Sequence, residues 1–182
     1  MKRHIFVKGS SLGLLLFVFA SIAPAVYGQT KDSSEVSALF SEAKIEAVQL
    51  KHDADQLKTF TRSPLHWQTH AAKIEQIKEH VNKSGELLTK MQNARSTASP
   101  WQQQTIDRIE PMLKDIAATV ESTIDSLNKQ PQQLQTGPYR EYVDANADLT
   151  ADLAALISDY VDYGKAKNKS EALAEKLEVP GN

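Results

Sequence analysis

Between Gly137 and Lys167, the residues Tyr139, Tyr142, Asn146, Leu149, Leu153, Leu156, Tyr160 and Tyr163 recur at steps of 3, 4, 3, 4, 3, 4 and 3. That is the spacing of a helix with one packed seam, and such a helix in isolation would leave the seam in water. The rest of the chain must therefore supply partners for it.

Three further stretches qualify. Ser33 or Ser34 can cap a helix over 33–61 whose seam is Val36, Phe40, Ala43, Ala47, Leu50, Ala54 and Leu57, with Leu39, Ile45, Val48 and Phe60 widening the apolar face. Ser63 and Pro64 end it, because proline cannot continue the ladder, and the same pair can start a helix over 64–95. The second seam is Trp67, His70, Ile74, Ile77, Val81, Ser84, Leu88 and Met91, and Gly85 inside it predicts a close approach of a neighbour. Ser99, Pro100 and Gln102 repeat the start signal, with the glutamine placed to reach back to the cap. The third helix, 99–130, has the seam Ile106, Ile109, Leu113, Ile116, Val120, Thr123 and Leu127. Pro111 lies within it, and because the period keeps its phase there, the spacing predicts a kink, not an end.

Asn128 to Gly137 reads as a loop, and the fourth helix covers 138–167, with a possible short helix at 170–178 capped by Ser170. Four rods of about 45 Å each, joined by short connections, predict an all-α, up-down-up-down four-helix bundle of coiled-coil-like, antiparallel helices. Residues 29–182 would form this single domain.

Met1 to Lys8 holds Lys2, Arg3 and Lys8 without an acid. An apolar run from Leu12 to Ala23 follows, then Pro24 and the small residues Ala25 and Gly28. This is the pattern of a signal peptide over 1–28, cleaved after Gly28, and it predicts a periplasmic or secreted protein. Membrane attachment would arise only through an uncleaved signal. Cleavage removes three of the 21 basic residues and leaves 18 against 23 acidic ones, a net charge of about −5. With no basic field, nucleic acid is excluded as a partner. There is no cysteine, hence no disulfide, no thiol-based lipid anchor and no covalent haem attachment.

Polar residues inside apolar seams are the candidates for chemistry. Folding the helices about their turns brings His70, Thr123, Asn146 and Asp55 toward one level, a polar core layer that would either fix register or line a small pocket. His66 and His70 stand at i, i+4 spacing, which on one helix face presents two imidazoles to a metal; Asp55, Asp53 or His52 would have to complete the set. No Glu-x-x-His pair, His-Glu-x-x-His motif, phosphate-binding glycine loop or Gly-x-Ser-x-Gly elbow occurs, so the chain reads as non-enzymatic and needing no cofactor.

Leu88, Thr89, Lys90, Met91 and Gln92 resemble the Leu-Thr-x-x-Gln motif of small periplasmic stress chaperones, exported all-helical proteins that usually carry the motif twice. Here the second candidate, Leu149 to Leu153, ends in leucine, and five residues do not establish membership. The resemblance implies a holdase with a large exposed apolar concavity. The primary expectation is an exported interaction or structural protein, monomeric or homodimeric, with a protein partner in the cell envelope. A small-molecule or metal-binding bundle around His70 is the alternative.

Overall fold

A computed structural model describes residues 31–178. The predicted signal peptide lies outside these residues. Within them the chain is all-helical: α1 (Ser34–Phe60), α2 (Trp67–Asn93), a short 3-10 turn (Arg95–Thr97), α3 (Pro100–Lys129) and α4 (Gly137–Leu177), with no strand among the described residues. The four helices pack as a bundle in which α1 and α3 each lie against both α2 and α4.

Ion pairs across the seams give the directions. Lys44 meets Asp162 and Lys58 meets Asp148, so α1 and α4 run antiparallel. Glu46 meets His80 while Asp53 meets Lys73, which sets α1 against α2 in the same sense. Arg108 reaches Tyr160 and Thr123 reaches Asn146, which does so for α3 and α4.

The seams of α1 and α3 are buried at the expected positions. α3 continues through Pro111, which removes the hydrogen bond to the Asp107 carbonyl; both residues are exposed, where water is available to that carbonyl. α4 differs from expectation in phase. Its buried positions are Tyr139, Val143, Asn146, Ala147, Thr150, Leu153, Ala154, Ile157, Val161 and Gly164. Tyr142 and Tyr163 are exposed, and Leu149 and Leu156 are only partly buried. α4 faces two neighbours and presents a wider stripe than one seam, and small residues fill it where the helices come close. Thr150 is accommodated because its hydroxyl donates to the Ala147 carbonyl and leaves a valine-like surface.

Three further expectations are corrected. Pro64 does not open α2. Thr61, Arg62, Ser63 and Leu65 donate their amides to Leu57, Thr59, Phe60 and Ser63 in a run of tight turns, and the helix begins at Trp67 with His66 as its cap residue. Ile45 and Val48 do not widen the core but face solvent, at 58% and 49% exposure. Gly85 marks no close approach, since a Cβ there would meet nothing within 4 Å; Gly164 does, with its Cβ position 3.0 Å from the Trp101 ring.

α4 does not break at Gly164 but runs on to Leu177, so 170–178 forms no separate helix. Lys167 pairs with Asp32 just ahead of α1, and the ten residues from Asn168 to Leu177 project about 15 Å beyond that point.

Candidate functional site

The expected polar layer divides into two pairs at different levels. His70, on α2, is fully buried, and its Nδ1 shares a 2.8 Å hydrogen bond with the Tyr139 hydroxyl at the start of α4. The imidazole stands edge-on to the Tyr139 ring at 5.5 Å and to Phe60 at 5.8 Å. Burial pushes the His70 pKa down and the Tyr139 pKa up, so both stay neutral at pH 7. His70 Nε2 has no partner.

Asn146 Nδ2 donates to Thr123 Oγ1 at 2.9 Å, and that hydroxyl donates on to the Thr119 carbonyl. Asn146 Oδ1 is buried without a partner. Tyr139 and Asn146 lie seven residues apart on α4, about 10.5 Å along its axis, which sets the two pairs two turns from each other. Asp55 belongs to neither. It lies at the surface, held by Lys51 at 2.6 Å in an i, i+4 pair, because α1 turns it away from the seam occupied by Ala54 and Leu57.

The proposed chelate also separates. His66 precedes α2 in extended backbone and is exposed, whereas His70 points into the core, so the two imidazoles do not share a helix face. Asp53 and His52 are committed elsewhere, Asp53 to Lys73 at 3.0 Å and His52 to Gln56 at 2.8 Å. Among the described residues no group of three or more His, Asp or Glu side chains is arranged to hold a metal ion.

Two polar clusters were not anticipated as clusters. Gln102 is fully buried and joins three segments: its Oε1 accepts from the Ser33 amide, the Ser99 amide and the Ser99 hydroxyl, and its Nε2 donates to the Ser33 carbonyl and the Ser37 hydroxyl. The capping signal at Ser99 and Gln102 was visible in the sequence; its reach across to α1 was not. Beside it, Asp32 Oδ1 accepts from Trp101 Nε1 at 2.7 Å and pairs with Lys167 at 3.1 Å. Burial raises the Asp32 pKa, but its polar contacts with Ser99, Trp101 and Lys167 outweigh that and hold it below the usual carboxylate value. Between α1 and α2, His80 lies between Glu46 at 2.7 Å and Asp53 at 3.5 Å, and Asp53 also pairs with Lys73 at 3.0 Å.

The Leu88–Gln92 stretch lies on the regular helix α2, with Leu88 and Met91 turned into the core. At the far end from Gln102, the Pro64–Gln68 turn and the Pro131–Thr136 loop enclose an open groove of about 490 Å³. Comparison with known protein families, with curated proteins and with solved structures finds no significant match.

Proposed function

We propose that the chain is an exported, non-enzymatic helical-bundle protein that joins another protein of the cell envelope through the uncovered end of α4. In this reading residues 1–28 are removed on export. Residues 29–182 form one up-down-up-down bundle, bent at Pro111, that acts as a monomer or homodimer without a cofactor. The observation that carries it is the overhang of α4. Leu173 is 46% and Leu177 66% exposed on the same helix end, with no other described helix alongside to cover them. A helix that presents i, i+4 apolar anchors beyond its own fold has the form of a helix-in-groove ligand. Among the described residues no helix is long and apolar enough to cross a membrane.

The alternative readings have less support. A ligand or metal site centred on His70 needs an opening there, and His70 is sealed between Phe60 and Tyr139. A holdase needs one continuous apolar concavity. Among the described residues the exposed large hydrophobic side chains are spread over several elements: Ile45 and Val48 on α1, Leu65 and Trp67 at a turn, and Tyr142, Tyr163, Leu173 and Leu177 along α4.

Photo-crosslinking in the native envelope tests the proposal. A photoreactive residue at position 173 or 177 should give a discrete protein adduct that position 121, exposed on α3, does not give. Changing the companion leucine to lysine should remove it. Absence of adduct at both positions, or a chain that keeps its first 28 residues, would overturn the reading.

A further inference from the structure

We infer that the groove between the Pro64–Gln68 turn and the Pro131–Thr136 loop is a binding site for a neutral oligosaccharide, with Trp67 as its stacking platform. It lies at the opposite end of the bundle from the α4 overhang and does not depend on it.

Charged residues make up 24% of the sequence, yet none of the residues lining this groove is Asp, Glu, Lys or Arg. His66 is the one titratable side chain on its rim. A groove without fixed charge offers no counter-ion to an ionic ligand, so its recognition must rest on hydrogen bonds and apolar contact.

Gln68, Gln132, Gln133 and Gln135 line the groove, and the last three are exposed along one short loop. A carboxamide both donates and accepts, which matches a hydroxyl group that does the same. A surface rich in such amides is complementary to a molecule rich in hydroxyls.

Trp67 lines the groove with its indole 44% exposed, together with Leu65 at 39%. Tryptophan offers a large apolar face with a single polar edge, and the C–H face of a pyranose ring is the flat, weakly polar surface that complements it.

The groove is also preformed. Pro64 and Pro131 restrict the backbone at its two edges, and Leu134 anchors the loop by burying its side chain. Little ordering entropy is then lost on binding. Its volume, ≈ 490 Å³, lies within the ~300–1,000 Å³ usual for small-molecule sites. A proline-rich peptide fits less well, because such peptides dock into grooves lined by several aromatic side chains, and Trp67 is the sole aromatic residue here.

The chain has two tryptophans, and Trp101 lies at the other end of the bundle, so fluorescence isolates the site. Iodide quenching of the mature protein is followed while triacetylchitotriose, cellotriose and maltotriose are titrated separately. At least one should protect Trp67 from iodide in a saturable manner, and the effect should survive Trp101→Phe. Trp67→Ala should weaken binding, read by calorimetry, by about tenfold or more while the helical circular dichroism of the folded protein is retained. Gln133→Ala with Gln135→Ala should weaken it by about threefold or more. Failure of all three sugars to bind overturns the inference, as does binding that Trp67→Ala leaves intact. So does saturable binding of a decaproline peptide in the absence of any sugar response. None of these outcomes bears on crosslinking from position 173.

Discussion

Where α1 begins, Gln102 makes five hydrogen bonds that tie together the chain entry, α1 and the start of α3. Where α1 ends, His70 makes one, to Tyr139, and its second ring nitrogen has no partner. Both side chains are fully buried, so the difference is not exposure but what surrounds them. Gln102 sits among backbone groups that helix ends leave unpaired, and it satisfies them as they satisfy it. His70 also lies in the first turn of its helix, but its ring is turned between Phe60 and Tyr139 and meets a side-chain hydroxyl instead of free backbone groups. A buried polar group therefore stabilises where it meets orphaned backbone, and where it does not it serves chiefly to fix which residues face each other, at some cost.

Gln102→Leu should show the largest effect. It leaves the Ser33 and Ser99 amides without their acceptor, at about 1–3 kcal/mol each. A loss of about 3 kcal/mol or more in urea unfolding is expected, and a loss below about 1 kcal/mol would erase the contrast between the two ends. Tyr139→Phe removes a single bond at the other end and should cost about 1–2 kcal/mol in the same assay.

The pH dependence separates the ends further. Burial lowers the His70 pKa, so the unfolded chain takes up a proton at pH values where the folded one does not. His70 thus contributes stability that is present above about pH 6.5 and is lost as pH falls toward its folded value, by at most about 1.4 kcal/mol per unit. The Asp32 pKa is lowered instead, so its contribution holds above about pH 4 and is lost only in stronger acid, as pH falls through the folded value. Urea midpoints of the native protein and of Asp32→Asn, measured from pH 7 to pH 3, should show the two windows apart.

The smallest expected effect comes from the two helical glycines. Gly85→Ala should stabilise by about 1 kcal/mol, since the new methyl meets open space and helix propensity improves. Gly164→Ala should gain less or lose, because its methyl presses on the Trp101 ring. Equal effects at the two sites would mean that α4 does not approach Trp101 as closely as described.

The helices were legible because periodicity and caps are local. Ser33, Pro100 and the Ser99–Gln102 start signal stand where the sequence puts them, and the α1 and α3 seams are buried as spaced. The α4 seam was half legible. Between Leu149 and Thr150 the hydropathy favours leucine, yet the structure buries the threonine, whose hydroxyl is satisfied by its own helix. The site residues were legible singly and not in combination. His70, Thr123 and Asn146 are buried polar residues, but their pairing depends on longitudinal register, which an error of one turn in the connections changes. Tyr139 as the partner of His70 carried no sequence signal beyond its place in a seam.

The account turns on His70 being a sealed core residue and not the centre of a site. Imidazole nitrogen NMR of the mature protein at pH 6 with added zinc measures this directly. A neutral His70 whose signals do not move with zinc is the expected result; a His70 that is largely protonated there, or that shifts as the metal is added, would contradict it.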